Sequence, residues 1–342
     1  GFGRRFVPYK RPNLLLHDPD RFIRILTNSQ FPVQLVIAGK APPFDEGGKS
    51  LIHQWNQFIQ QHNLYKHVIF LSDYDMLLTE QLVQGVDVWV NTPRRPWEAC
   101  GTSGMKVLVN GGINLSELDG WWAEAYTPKV GWALGDKKEH GDDPAWDAAE
   151  ANALYDLLEQ HIVPDFYSRN EKGIPQKWVE RMRNSMATLT AQFSANRTVR
   201  EYTEKCYLPA ASNFMNRAAE KGTKGKWIVD TKHFLHSKWN EIHFGEIKKE
   251  ITENGYSFSA IIFFDDDIKD QISVELFAIG IDTGNPEIIK MDLQSTSENR
   301  NEHIYHAEMK TKRNADDYTV RVIPSYQNIA VPGEDNLILW QH

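Results

Sequence analysis

Cysteine is almost absent from this chain: Cys100 and Cys206 are the only two in 342 residues, which excludes a disulfide scaffold and a thiolate metal site. Long apolar runs are missing too, since no stretch approaches the ~20 residues that cross a bilayer as a helix. The N-terminus lacks the charged, apolar, small-residue order of a signal peptide. Nor is there an excess of positive charge. The 38 Lys and Arg against 46 Asp and Glu give a net charge of −8, which excludes a nucleic-acid binder that works by bulk electrostatics. What is present is 41 % hydrophobic residues, enough to build cores and too many for a disordered chain. At this length two domains are expected rather than one. The protein is expected to be soluble and cytoplasmic, with neither nucleic acid nor membrane as partner. Because it opens at Gly1 inside what reads as a strand, it is expected to be a piece of a longer chain.

Up to about Glu220 short β-branched runs alternate with amphipathic stretches, the pattern of βαβ units around a parallel sheet. Residues 33–38, 67–71 and 86–90 read as strands. Asp18-Pro19 supplies an N-cap and a first-turn proline, with Phe22, Ile23 and Leu26 as the buried stripe, and Leu51, Trp55, Phe58 and Ile59 repeat that spacing. Longer helical patterns run from Asp147 to His161, Gln176 to Gln192 and Thr198 to Arg217. The expectation is a Rossmann-like, doubly wound parallel sheet over residues 1–222. Lys221-Gly222-Thr223-Lys224-Gly225-Lys226 breaks helical periodicity, and beyond it the period becomes two, as in Ile272, Val274, Leu276, Ala278 and in Tyr318, Val320, Val322. Further strands are expected at 257–264, 287–293 and 303–309, separated by turn clusters such as 282–286, so that 226–342 forms an all-β sandwich.

Two segments carry candidate chemistry. In Asn91-Thr92-Pro93-Arg94-Arg95-Pro96-Trp97-Glu98-Ala99-Cys100-Gly101-Thr102-Ser103-Gly104-Met105-Lys106 a strand enters a helix through glycines and hydroxyls. Unpaired N–H groups and the helix dipole then point at one spot, which suits an anion and most naturally a phosphate. A tight turn without a ligand has the same composition. The spacing from Gly101 to Lys106 is not that of the nucleotide P-loop, and Ser103 lacks the glycine two residues on that a nucleophile elbow needs. The second segment, Gly3-Arg4-Arg5-Phe6-Val7-Pro8-Tyr9-Lys10-Arg11, gathers four cations at the end of the first strand, where ligands of open α/β sheets bind. A solvated basic loop is the plainer alternative. His233, His236 and His243 read as ordinary histidines rather than metal ligands, and Asp265-Asp266-Asp267 reads as a turn. Trp121 and Trp122 suit either a core or a sugar-stacking face.

Taken together, R-R-F-x-x-Y-K-R near the start, E-A-C-G-T-S-G-M-K at Glu98–Lys106 and N-G-G-I-N-L-S-E-L-D-G-W-W-A-E at Asn110–Glu124 resemble the C-terminal half of the α-glucan (glycogen, starch and maltodextrin) phosphorylases. The likeness is greatest to the short bacterial and archaeal branch with its N-x-P-R-R-P and D-G-W-W motifs. It is specific from Gly1 to about Gly135, continues through the 193–207 helix, and the terminal β region ends in a T-V-R-V-x-P strand of the same kind.

The resemblance implies the second domain of a GT-B type glycosyltransferase that uses pyridoxal 5′-phosphate. It puts Lys106 where the family's lysine forms the Schiff base, and Thr102, Ser103 and Gly104 where the cofactor phosphate is cradled. Arg5 and Lys10 match the cations that hold the substrate phosphate against the cofactor phosphate, and Arg4 stands where some members have lysine. Tyr9, Glu98, Cys100 and Gly101 match sugar-contacting positions, Cys100 replacing the serine of many members at a contact made through the backbone. The implied partners are α-1,4-glucan and inorganic phosphate. The reaction runs through an oxocarbenium-like state, and two phosphates held side by side repel strongly, so that a cluster such as Arg4, Arg5 and Lys10 is needed to make the arrangement tolerable. The family's active site lies between two α/β domains, so this chain alone is expected to be inactive and to expose apolar surface that promotes self-association. A nucleotide-sugar enzyme of the glycogen synthase kind and a non-catalytic glucan-binding module remain as alternatives.

Overall fold

The computed structural model describes residues 1–72, 74–253, 255–280, 285–297, 301–327 and 329–341. These form two compact units, Gly1–Tyr202 and Thr203–His342. In the first, β1 (Phe2–Arg5), β2 (Leu35–Lys40), β3 (Val68–Leu71), β4 (Val88–Asn91), β5 (Ile113–Glu117) and β6 (Gly131–Leu134) pair in parallel within the runs β1-β2-β3 and β4-β5-β6. Gly1 joins the two runs. Its ammonium donates to the Val88 carbonyl at 2.7 Å, and its own carbonyl accepts from Val90 N at 2.9 Å. The order across the joined strands is β3-β2-β1-β4-β5-β6, that of a doubly wound sheet whose direction of winding reverses between β1 and β4.

The connections are α1 (Pro19–Leu26), α2 (Glu46–Gln61), α3 (Met76–Gly85), α4 (Thr102–Val109), α5 (Gly120–Ala125) and α6 (Pro144–Leu157), followed by α7 (Val163–Tyr167), α8 (Gln176–Leu189) and α9 (Ala195–Tyr202). Four of them start on an aspartate side chain that accepts a backbone N–H of the first turn: Asp18 from Arg21 at 2.9 Å, Asp45 from Gly48 at 2.8 Å, Asp75 from Leu78 at 2.8 Å and Asp143 from Ala145 at 2.9 Å. Each cap satisfies a donor the helix itself leaves orphaned. The stripe of α1 buries Phe22, Ile25 and Leu26, with Ile23 only half-buried, and α2 buries Trp55, Phe58 and Ile59. These side chains close one core with Phe2, Ile37, Val90 and Leu115 from the sheet.

The second unit opens with α10 (Leu208–Lys238), whose backbone leaves helical geometry at Ala219–Gly222 and resumes it. The change of composition at 221–226 therefore coincides with a break inside this helix, while the compact units divide earlier, between Tyr202 and Thr203. The segment expected to be all-β thus begins with helix, and Leu235 of that helix is buried in the sandwich core. Two antiparallel sheets follow. One is ordered β10 (Glu287–Lys290), β9 (Ile272–Ala278), β13 (Thr319–Pro324), β14 (Leu339–Trp340); the other β11 (Asp292–Thr296), β12 (Glu302–Lys310), β8 (Gly255–Phe263), β7 (His243–Thr252). Their inward faces share one core around Phe258, Ile262, Val274, Leu276, Val320 and Val322. The single strand expected at 287–293 is two strands in different sheets. Met291, buried and donating its N–H to Val274 O at 2.9 Å, sits at the crossover. Strand β7, largely exposed, has too little apolar alternation to be legible. The turn expected at 282–284 lies outside the described residues.

Candidate functional site

Both candidate segments leave the sheet at the same place, the carboxyl ends of β1 and β4, where the winding reverses and where open α/β sheets bind ligands. The turn after β1 carries Tyr9, Lys10 and Arg11; the loop after β4 carries Glu98 to Gly101 and delivers the chain into α4. Hydrogen bonds lace the two together. Thr92 Oγ1 donates to the carbonyls of Lys10 and Arg11, each at 3.1 Å, and Arg94 N donates to Tyr9 O at 2.6 Å.

Arg4, buried at the end of β1, points its Nη1 at Glu98 Oε2 at 3.2 Å, and Lys10 Nζ reaches the same oxygen. Two cations from one segment thus converge on one buried carboxylate from the other. Burial pulls the Arg4 guanidinium below its ordinary range, against the pull of Glu98 in the other direction. Its Nε is buried with no partner among the described residues, so one strong donor in the site is unused. Lys10 also lies 4.9 Å from the centroid of the Tyr9 ring, and that ring stands 6.2 Å from Trp97.

Helix α4 follows Gly101 (φ +84°) with no side chain capping it, so no capping side chain accepts from its first N–H groups. Glu98 Oε1 lies under Gly101, 3.1 Å from where a β-carbon would be. Ser103 Oγ accepts from Trp89 Nε1 at 3.2 Å, and Asn114 Nδ2 donates to Gly104 O at 3.1 Å, fixing the first turn of α4 against β4 and β5. Arg5, Thr102, Cys100 and Lys106 are exposed. Neither Arg5 nor Lys106 has an ion pair or a side-chain hydrogen bond among the described residues. Burial, then the charges of Glu124 and Glu98, push the Cys100 thiol up, which disfavours a nucleophilic thiolate there.

The D-G-W-W motif acts as a brace rather than a sugar platform. Asp119 Oδ2 accepts from Glu98 N at 2.8 Å, and Trp121 N donates to Cys100 O at 2.9 Å. Gly120 (φ +52°) lies so close to that carbonyl that a β-carbon would fall 2.5 Å from Cys100 O, so only glycine fits. Trp121 and Trp122 are buried in a core with Leu108 and Leu189, which removes the sugar-stacking alternative for both. His236 faces Asp335 at 2.9 Å and His243 stacks on Phe263, and Asp266 opens a 3-10 turn. Among the described residues no group of three or more His, Cys, Asp or Glu is arranged to hold a metal, and no helix is long and apolar enough to cross a membrane.

Behind the site lies a cluster that the sequence motifs did not single out. Arg11, 7 % exposed, donates to Thr92 O (3.0 Å), Pro93 O (3.1 Å), Asp147 Oδ1 (2.9 Å), Glu117 Oε2 (3.1 Å) and Glu150 Oε2. Its acidic partners come from β5 and α6, more than 100 residues away in the chain, and no local pattern announces them.

Residues 4–130, which include every residue of the Glu98 cluster and α4, match the family model described as carbohydrate phosphorylase. A glycogen phosphorylase of Mycobacterium tuberculosis is 43 % identical over 247 residues, 72 % of this chain and 29 % of its own length. A glycogen phosphorylase of Aquifex aeolicus is 44 % identical over 60 % of this chain and 30 % of its own length. A maltodextrin phosphorylase of Thermococcus litoralis is 34 % identical over the whole of this chain and 41 % of its own length. The chain thus spans well under half the length of these curated relatives. The converging cations, the uncapped α4 and the D-G-W-W brace all lie inside the segment that matches the carbohydrate phosphorylase model.

Proposed function

We propose that this chain is the cofactor- and phosphate-binding portion of an α-glucan phosphorylase, which cleaves α-1,4-glucan with inorganic phosphate to glucose 1-phosphate, and that it adopts the second-domain role of a GT-B type architecture. The observation that carries the reading is the convergence of Arg4 and Lys10 on Glu98 in front of an uncapped helix. An anion arriving there meets two cations, the unused Arg4 Nε and the first N–H groups of α4.

These residues suit pyridoxal 5′-phosphate. Lys106, one turn into α4 and free of ion pairs among the described residues, would anchor it; Thr102, Ser103 and Gly104 would receive its phosphate at the helix start. When bound, the group supplies a phosphate that exchanges a proton with the substrate phosphate. Arg5 and Lys10 hold the substrate phosphate next to it, their charge offsetting the repulsion between two anions. Arg4, desolvated and unable to leave its place, keeps that field fixed. Glu98 accepts hydrogen bonds from sugar hydroxyls, with Tyr9 beside it and the Cys100–Gly101 backbone beneath. The carboxylate then orients the sugar instead of neutralising Lys10.

The test is borohydride reduction after incubation with pyridoxal phosphate, followed by peptide mapping. Label on Lys106, lost in K106A, is expected. Label scattered over surface lysines would overturn the assignment. The chain alone is expected to release no glucose 1-phosphate from maltodextrin, because the relatives it matches are more than twice its length and the rest of the site is assigned to what it does not span.

A further inference from the structure

The Arg11 cluster contains more acid than its bases balance. Glu117 and Glu150, each 3 % exposed, both bond Arg11, and both turn their remaining Oε1 toward Gly135. A β-carbon built there would lie 1.8 Å from Glu117 Oε1 and 3.1 Å from Glu150 Oε1. Glu150 Oε1 is buried with no donor among the described residues. Two carboxylate oxygens facing each other out of water repel, whereas one proton between them supplies the missing donor.

We propose that Glu117 and Glu150 share a single proton at neutral pH and, closed as a singly charged pair over Arg11, act as positioning residues that hold Tyr9 and Lys10 in the site. With one proton on the pair the inner charges balance: Arg11 and Arg94 against the pair and Asp147, which Arg94 also bonds at 2.7 Å. The surrounding groups are already engaged. Arg95 pairs with Asp119 at 3.5 Å, Asp142 bonds Arg94 at 3.0 Å from an exposed position, and His140 is turned to Asp136 at 3.0 Å. Lys138 lines the same cleft. Burial, followed by the hydrogen bond and the charge of Glu150, pushes Glu117 up to about 9 despite Arg11. The link to the site is short. Arg11 follows Lys10, and both carbonyls are held by the Thr92 hydroxyl, so a displaced Arg11 moves Lys10 with it.

The importance of Lys10 rests on the phosphorylase reading, but the test uses neither cofactor nor glucan, so either idea can fail without the other. Infrared spectra of the chain at about pH 7 are expected to show the C=O stretch of a protonated, buried carboxyl group that is missing in E117Q. Amide hydrogen exchange of the peptide spanning Val7–Arg11, corrected for intrinsic rates, is expected to lose protection by up to about tenfold per pH unit between about 4.5 and about 9, where only the closed state keeps that proton, and to level off above. In E117Q, whose amide supplies a permanent donor to Glu150, the protection should stay flat with pH, and in E117A it should be low throughout. Absence of the acid band, a pH-independent wild type, or an E117Q as loose as E117A would each overturn the proposal.

Discussion

In Gly1–Tyr202 the buried charged side chains are Arg4, Arg11, Glu98, Glu117, Asp119 and Glu150, whereas in Thr203–His342 Asp335 alone among the described Asp, Glu, Lys and Arg residues is buried. The second unit closes its core with alternating apolar strands. Its one buried carboxylate among the described residues accepts from Tyr326 Oη at 2.9 Å and faces His236 Nε2 at 2.9 Å from 99 residues away in the chain. The first unit removes six ionisable side chains from water, at several kcal/mol for each that stays charged before pairing, and gathers them behind and within the carboxyl ends of β1, β4 and β5. Stability alone does not call for that arrangement, since apolar packing gives the same cohesion at lower cost. Fixed charge in a dry place is what catalysis of anion chemistry requires.

The largest test of the comparison is Arg11→Met. It leaves Glu117, Glu150 and Asp147 without their shared cation, and a loss of about 3–5 kcal/mol is expected in urea unfolding. A loss below about 1 kcal/mol would mean that the first unit does not depend on its buried charge. The pH dependence comes next. Glu117 keeps its proton to about pH 9 when folded, against 4.5 as its ordinary value, so the folded chain binds more protons than the unfolded one between those values. Its contribution to stability is complete below about 4.5 and is lost as pH rises toward 9. Thermal midpoints measured across that window should fall with pH in the wild type and fall less in E117Q.

In the second unit Asp335→Ala orphans Tyr326 and His236, and about 1–3 kcal/mol is expected, read as faster amide exchange confined to that unit. Spread of the effect into β1 or β4 would blur the contrast. At the surface, Arg21→Ala removes pairs to Asp156 and Glu159, whose side chains are 52 % and 36 % exposed. Solvent screening limits the effect to at most about 1 kcal/mol, which calibrates the gap between surface and buried pairs.

Strands β2, β3 and β4 were legible as short apolar runs, and α1 from its Asp18-Pro19 start, because these signals are local. The stretch 287–293 reads as one strand by composition, and only its pairing with β9 on one side and β12 on the other divides it. Trp121 and Trp122 were ambiguous for a similar reason: an aromatic pair after a strand suits a core or a ligand face, and the packing of α5 decides. Lys10 stood out as one of four cations after the first strand and Glu98 through the resemblance, but that they meet at one oxygen is a fact about the distance between two loop ends.

The sequence by itself determined the alternation of elements, the period change that marks the second unit, and the motifs that lie within the matched segment, since each is written within a few tens of residues. Tertiary structure alone decided that β1 and β4 lie side by side, and hence where the site is. It also decided that Arg11 answers acids 106 and 139 residues away. The interaction of such groups depends on their separation and on the water removed between them, and neither quantity exists until the chain has closed around them.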